Sequence, residues 1–358
     1  PPFFFHPDPA NPDAQESRVL GDVYKRQRDG SAGTQIAGIS TFSGTSGMVM
    51  PGGPTEYRGG RGRGVFAGGY NPGGNNTMEY IEIATTGNAT DFGDLNKNSS
   101  NAAAFGSSTK GIFCGGYYAP AANTDVIQYV TFSSRGGASF FGNLITPAIN
   151  NIGFSNNITG FSAGGSGTPK KRTIEMITIS SGGAHASDFG DMTQGVLNGA
   201  ACASPTRGVM AGGETASNTY SRKIDYITMA TKGDAKEFGE LTSTVGRDPG
   251  GMSSSTRGIF GGGRTSPASA TSDIIDYITI ASTGNATDFG NLLAATKFVR
   301  GCSSQTRAVW GGGQAPSAQN VIQYVTIAST GNATDFGDLD DGTPFSISVC
   351  SDVHGGLG

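Results

Sequence analysis

The chain has 358 residues, a formal net charge of −4 and only 15% charged residues. Because no basic block is present to face the phosphates of a duplex, nucleic acid is excluded as an expected partner. No apolar run approaches the roughly 18 residues of a membrane-crossing helix, so no membrane span is predicted. Glycine supplies 59 residues, about twice its usual share of ~7%, which predicts many tight turns.

The first 28 residues share no pattern with the rest of the chain and lack the apolar core of a signal peptide. Residues 22–27, Asp-Val-Tyr-Lys-Arg-Gln, resemble the translated end of an adapter used to prepare sequencing libraries. Residues 1–28 are therefore interpreted as a non-native or disordered tail. Residues 29–55 are interpreted as a lead-in or linker, and residues 56–358 as the main domain.

A unit of about 50 residues recurs six times in that main domain. Each copy has a polar turn, an apolar run that ends in a glycine pair, a variable stretch, an alternating run and a Phe-Gly dipeptide. Such a fixed period predicts a repeat architecture. The second glycine of the pair falls at Gly69, Gly116, Gly165, Gly213, Gly263 and Gly313.

Four strands are predicted in each copy. The first is short and made of small residues, as at residues 251–254, and the second is apolar on both faces, as at residues 64–69, which indicates a strand between neighbouring sheets. The third strand alternates, at 78–83, 126–132, 174–179, 224–229, 275–280 and 322–327. A glycine-containing turn leads to the fourth strand. The fourth strand of each copy contains a phenylalanine, which is expected to pack between neighbouring sheets. These residues are Phe92, Phe141, Phe189, Phe238, Phe289 and Phe336.

A glycine pair followed by a tyrosine resembles the kelch repeat. The tyrosines are Tyr80, Tyr129, Tyr226, Tyr277 and Tyr324, with Met176 in the third copy, and phenylalanine replaces the kelch tryptophan. The resemblance covers about residues 56–350. It implies an all-β fold, a β-propeller of about six four-stranded, kelch-like blades. Residues 345–358 begin a further copy, so the C-terminal end is expected to be truncated, and the sequence leaves open how the ring closes.

The amino-acid motifs of the repeat resemble those of another group of proteins. The phrase Asn-Ala-Thr-Asp-Phe-Gly and the glycine- and arginine-rich residues 48–63 resemble structural proteins of marine bacteriophages. This resemblance implies a tail-associated or other virion protein, and hence a virion or extracellular location.

Two side-chain positions repeat without an evident ligand. Cys202, Cys302, Cys350 and Met252 share one slot, which predicts a buried soft position rather than a disulfide or a metal site. A turn cation also recurs, with Thr159 in the third copy. Because repeated residues usually serve the shared fold, a structural contact, with the acid near each Phe-Gly as a candidate partner, is favoured over an anion-binding crown. The cations are Arg63, Lys110, Arg207, Arg257 and Arg307.

Catalytic and metal chemistry receives little support. The Asp-Phe-Gly triplet recurs without the other loops of a kinase, so that interpretation is rejected. Acid pairs such as Asp91 and Asp94 offer too few oxygens for calcium. Only His185 and His354 lie outside the tail, in no catalytic motif. The chain is predicted to be no enzyme and to hold no metal or cofactor, with a copper-oxidase-like or glycan-active site at the propeller mouth as the alternative.

Two loops differ strongly between copies. One joins the second and third strands, and the other joins one blade to the next, so both emerge on one face of an up-and-down blade. We call this the variable face, and the opposite face, with its near-identical turns, the uniform face. A diversified face on a rigid scaffold is typical of recognition.

The predicted function is therefore recognition of a host-surface glycan or protein, with virion proteins as further partners. A structural spacer of a virion is a second alternative. Tyrosine and arginine are favoured in binding surfaces, and the two lysines add charge beside Arg172. The candidate contacts are Tyr70, Tyr117, Tyr118, Lys170, Lys171, Arg172, Tyr220 and Arg264.

Overall fold

A computed structural model describes residues 62–358, apart from 71–74, 119–121, 181–182, 184, 218, 244, 266–269 and 341–344. The side chains at 122 and 245–247 are also outside the description. The predicted tail and lead-in, residues 1–55, lie outside the described residues. The described residues all belong to one compact unit, which begins at Thr55.

Six four-stranded antiparallel sheets form the blades of a six-bladed β-propeller, which confirms the all-β prediction. In blades 1 to 6 the innermost strands are Ser348–Ser351, Ala103–Gly106, Ile152–Ser155, Ala200–Ala203, Gly250–Ser253 and Arg300–Ser303. The second strands are Arg63–Ala67, Lys110–Cys114, Thr159–Ala163, Arg207–Ala211, Arg257–Gly261 and Arg307–Gly311. The third strands are Thr77–Glu82, Ala122–Thr131, Thr173–Thr178, Lys223–Thr228, Ile274–Thr279 and Val321–Thr326. The outermost strands are Thr90–Asp94, Ser139–Ala148, Ser187–Asp191, Lys236–Glu240, Thr287–Asn291 and Thr334–Asp338.

Blade 1 is built from both ends of the described chain. Ser348–Ser351 pairs antiparallel with Arg63–Ala67, with Cys350 opposite Val65. Beyond this strand, Asp352 Oδ1 accepts hydrogen bonds from the backbone N–H groups of Gly62 and Arg63 at 3.0 and 2.8 Å. The partial copy at residues 345–358 thus supplies the innermost strand that the first full copy lacks, and this pairing closes the ring.

Neighbouring blades interlock near the axis through a side chain and a glycine. The third residue of each innermost strand is buried and points at the second strand of the next blade. A Cβ placed on Gly258 would lie only 2.5 Å from Cys202 Sγ, and one on Gly111 would lie 2.7 Å from Cys350 Sγ. All four cysteines are free and buried, which confirms the predicted soft position.

The turn cations hold adjacent blades together on the uniform face. The guanidinium of Arg257 lies 4.6 Å from the ring centre of Tyr277 in its own blade. The same group donates to the carbonyl of Ile327 in the next blade at 2.8 Å. The predicted structural contact is therefore confirmed, but its partners are the tyrosine ring and a carbonyl rather than the acid beside Phe-Gly. Blade 3 has lost both partners together, with Thr159 and Met176 in these positions. The same arrangement recurs for Arg63, Lys110, Arg207 and Arg307.

The outer edges of the blades are joined by the Phe-Gly dipeptide. Each of its phenylalanines is at most 4% exposed, as a wedge should be. In blade 5, Phe289 meets Tyr277 edge-on at 5.9 Å, and its carbonyl accepts from Gly331 N in the next blade at 2.8 Å. A Cβ on Gly93 would lie 2.5 Å from the carbonyl of Gly136, so only glycine permits this backbone approach. These contacts explain why the turns of the uniform face are so alike.

Candidate functional site

The connections between blades on the variable face are anchored by buried polar residues of the third strands. Thr242 N–H donates to Asp276 Oδ2 at 2.9 Å, and Thr193 N–H donates to Asp225 Oδ2 at 3.0 Å. Burial raises the pKa of both carboxyl groups above its ordinary value, and the threonine hydrogen bonds partly oppose that rise. The connections are therefore held in place rather than loose.

Short two-stranded ribbons extend the blades beyond their glycine pairs. Ser99–Ser100 pairs with Tyr117–Tyr118, Val196–Leu197 with Glu214–Thr215, and Val245–Arg247 with Arg264–Thr265. Isolated bridges between Tyr70 and Phe345, and between Lys297 and Gln314, take the same place in blades 1 and 6. The residue that follows each glycine pair therefore lies close to the axis. These residues are Tyr70, Tyr117, Ser166, Glu214, Arg264 and Gln314.

A ring of left-handed residues surrounds the mouth of the central channel on this face. Each lies two positions before an innermost strand, and φ is between 55° and 65° at all six. Backbone hydrogen bonds of 2.8–3.0 Å link five of them in sequence around the axis. The chain of bonds runs from the carbonyl of Ser346 to the N–H of Asp248. The six residues are Asn101, Asn150, Asn198, Asp248, Phe298 and Ser346.

An aromatic arc lines one side of this mouth. Tyr70 and Phe345 have ring centres 5.2 Å apart, and Phe345 and Phe298 are 5.5 Å apart. Tyr70 is 52% exposed, so its ring is open to a ligand. The opposite side carries the three asparagines of the ring, and the two sides enclose a cavity of about 230 Å³.

Phe298 has a left-handed backbone conformation that bulky residues rarely adopt. Asparagine, aspartate and serine at the other five ring positions are small polar residues, and asparagine and aspartate enter the left-handed region most readily. A bulky side chain there costs roughly 1–2 kcal/mol. The fold itself gives no reason for that cost, because every other blade makes the same turn without an aromatic residue.

Two of the cations on this face form ion pairs. The guanidinium of Arg264 forms an ion pair with Asp248 at 2.8 Å, and the carboxylate of Asp248 is fully buried. The same guanidinium lies 4.5 Å from the ring centre of Phe298. Further around the face, Lys170 of blade 3 pairs with Glu214 of blade 4. Lys297 Nζ lies 5.8 Å from the ring centre of Phe298. The mouth therefore presents rings, amides and hydroxyls, with the compensated charge of Arg264 and the charge of Lys297 beside them.

The other end of the channel is covered by residues after the last strand. The 3₁₀ turn Gly355–Leu357 packs against the innermost strands of blades 3, 4 and 5, and all three of its residues are buried. His354 Nδ1 accepts from Gly356 N–H at 3.2 Å, and Nε2 contacts the carbonyl of Gly106 at 2.8 Å. Burial lowers the pKa of His354 to about 4, so the ring is neutral at pH 7. The variable face is thus the accessible end of the channel.

The structure separates the eight predicted contact residues into two groups. Tyr70 lines the mouth, Arg264 stacks on Phe298, and Tyr117 holds the equivalent place in blade 2. The others join structural elements. Lys171 Nζ donates to Thr146 Oγ1 in blade 2, and burial lowers its pKa. The remaining contacts are those of Lys170 with Thr215 O, Arg172 with Met192 O, Tyr118 with Gln128, and Tyr220 with Glu214.

Sequence reasoning missed Phe298, Phe345 and the ring of asparagines. A signal was nevertheless present, because each ring residue stands four places before the slot that holds Cys202, Cys302 or Met252. In that column Phe298 is the single aromatic residue among asparagine, aspartate and serine. Phe345 could not be found in this way, since its column is variable.

The described part of the chain offers neither a metal-binding cluster nor a membrane-crossing helix. Its His, Cys, Asp and Glu side chains form no group of three or more that could hold a metal ion. His185 is exposed on an outer turn, far along the chain from the channel segment that contains His354. Within the same residues, no helix has the length and apolarity that a membrane crossing requires.

The arrangement defines a class of protein by its shape. The chain is a six-bladed β-propeller with one interlocked, uniform face and one diversified face that surrounds an open channel mouth. Comparison with models of known protein families and with curated proteins gives no match for this chain.

Proposed function

We propose that this chain is a non-catalytic recognition module that binds a carbohydrate through its variable face. The observation that carries the proposal is the division of labour between the two faces. The repeated residues of the uniform face make contacts between blades, whereas the variable face surrounds a cavity of about 230 Å³ with a half-exposed tyrosine on its rim. Concave sites with aromatic walls and a few polar groups are typical of small-ligand binding.

The absence of catalysis is part of the proposal. General acid–base chemistry needs a positioned group that can exchange a proton. At the mouth, the carboxylate of Asp248 is fully buried against Arg264. The neutral imidazole of His354 lies at the other end of the channel. These placements favour binding over turnover.

The experiment blocks one face at a time. The four native cysteines are buried and burial raises their thiol pKa, so an added surface cysteine will react selectively with a maleimide polymer. Ser217→Cys places the polymer on the variable face, and Thr86→Cys is its control on the uniform face; both residues are exposed. Binding of the full chain to a glycan array should be lost only with the polymer at position 217. Equal loss at both positions, or no glycan bound by the wild type, would contradict the proposal.

We further propose that the module is kelch-like and serves on a virion or another extracellular surface. Support comes from the glycine pair with its tyrosine and from the motif Asn-Ala-Thr-Asp-Phe-Gly, which resembles phage structural proteins. Mass spectrometry of purified virus particles tests this location. Recovery of the chain only from cell lysate would count against it. A protein ligand on the host surface, instead of a glycan, would appear as binding to protease-sensitive receptors.

A further inference from the structure

Phe298 occupies a position where its backbone is disfavoured. Its φ is 59°, and the matching residues of blades 2 to 4 are asparagines with φ of 55–60°. Asparagine enters this region with little strain, whereas phenylalanine does so rarely. An outlier of this kind is the usual starting point for a functional hypothesis.

The ring of Phe298 joins two groups into a continuous wall. It packs 5.5 Å from Phe345 on one side and 4.5 Å from the Arg264 guanidinium on the other. Phe345 in turn contacts Tyr70, which is half-exposed. Without Phe298 the arc would end at blade 1, and the cavity would lose its wall on the blade 6 side.

The opposite wall is polar. Asn101, Asn150 and Asn198 line the cavity beside Ser346. Asn198 is 3% exposed, and its Oδ1 has no hydrogen-bond partner in the described part of the protein. Amide groups both donate and accept, so this wall can satisfy hydroxyl groups in either direction.

We propose that the arc Tyr70–Phe345–Phe298 and the facing asparagines form a subsite for one neutral pyranose ring. The inference rests on the proposed function and deepens it. A pyranose is amphipathic, with a C–H face that packs on aromatic rings and hydroxyl edges that suit amides. Neutrality follows from the cavity lining, whose described residues are all uncharged, and from the pairing of Arg264 with Asp248. Lys297 Nζ lies 5.8 Å from the ring centre of Phe298 but is not part of that lining.

The cavity is open to solvent and has a volume of about 230 Å³, so it can admit a ring-sized group. This space suits one sugar ring, with any further residues of the glycan lying above the mouth. Binding of a free monosaccharide is therefore expected to be weak but measurable.

Phe298→Asn is the decisive variant, because it restores the residue that blades 2 to 4 use. Relief of backbone strain offsets the lost packing, so the thermal midpoint should stay within about 2 °C of the wild type. Affinity for neutral methyl pyranosides, measured by calorimetry on the full chain, should fall about tenfold or more. Phe140→Asn is the matched control, since it makes the same exchange on the outer strand of blade 2, where Phe140 is 59% exposed. Its affinity should equal that of the wild type.

The outcomes separate this inference from the proposed function. Glycan binding that survives Phe298→Asn and Tyr70→Ala but is lost in Tyr117→Ala would place the site in blade 2, overturning the inference and leaving the proposed function intact. A preference for methyl uronates over neutral methyl pyranosides would overturn neutrality. A wild-type chain that binds no glycan on the array would overturn both.

Discussion

The interlock between a soft side chain and a facing glycine can be tested at Gly258. A Cβ at this position would lie 2.5 Å from Cys202 Sγ and 3.0 Å from Ile278 Cγ1. Ordinary carbon contacts need about 3.5–4.0 Å, so blade 4 or blade 5 would have to move by about 1 Å. Overpacking of this size should lower the free energy of unfolding by about 1–3 kcal/mol in Gly258→Ala.

A double-mutant cycle makes the prediction specific. Cys202→Ala removes the sulfur and should itself cost about 1 kcal/mol through a small cavity. In the double variant the new methyl group occupies the space that the sulfur leaves. The combined cost should therefore fall below the sum of the single costs by about 1 kcal/mol or more. Blades 5 and 6 meet differently, because Ala308 takes the place of the facing glycine there and packs in one cluster with Met252.

The assay is equilibrium unfolding in urea. Trp310 is the single tryptophan and is fully buried, so its fluorescence reports on blade 6, while circular dichroism reports on all blades. Coincident transitions from the two probes would justify two-state free energies. Strictly additive costs, or an unchanged midpoint in Gly258→Ala, would refute the interlock.

Three further predictions concern contacts that join the blades. Arg257→Met keeps the aliphatic stem but loses the stack on Tyr277 and the hydrogen bond to a carbonyl of the next blade. The free energy of unfolding, measured in urea, should therefore fall by about 1–2 kcal/mol. An unchanged value would show that this arginine contact does not hold the blades together. Asp352→Ala leaves the backbone N–H of Arg63 without this acceptor. The free energy of unfolding, measured in the same way, should fall by about 2–3 kcal/mol. A value equal to that of the wild type would show that strand pairing alone closes the ring. Burial lowers the pKa of His354 to about 4, against about 6.5 in the unfolded chain. The stability that the neutral ring contributes is therefore complete above pH 6.5 and is lost as the pH falls towards 4. The loss in the free energy of unfolding should reach up to about 3 kcal/mol. His354→Gln should flatten that pH dependence, and equal slopes in both proteins would show that other groups cause it.

The blade could be predicted from the sequence because its contacts repeat. The glycine of Phe-Gly is required wherever two backbones approach, as between Gly93 and Gly136, and six copies of one requirement produce six copies of one pattern. The third strands were located within one residue, except in blade 2. There Ala122–Thr131 and Ser139–Ala148 are ten residues long and extend further towards the variable face.

The ring closure and the channel mouth were harder to predict for different reasons. A short fragment such as residues 345–358 does not reveal its partner, because pairing with Arg63–Ala67 depends on the number of blades around the ring. Lys170 and Lys171 are predicted as ligand contacts, and the structure adds that their amino groups contact blade 4 and blade 2, respectively. The sequence around a residue does not show which loops will pack against it, and the loops that contact these two lysines belong to other copies of the repeat.

Departures from the repeat differ in their physical meaning, and that difference is the most useful guide to function in this fold. Blade 3 lacks the cation and the tyrosine together, and Phe161 meets Phe189 edge-on at 5.0 Å, so its core is packed in another way. Such a change replaces one packing arrangement with another and requires no ligand. Phe298 departs alone, against the preference of its own backbone, and its ring faces a cavity instead of a core. Its packing on Phe345 and Arg264 offsets that strain, but no other blade uses an aromatic residue at this position, and the departure therefore points to a ligand at the channel mouth.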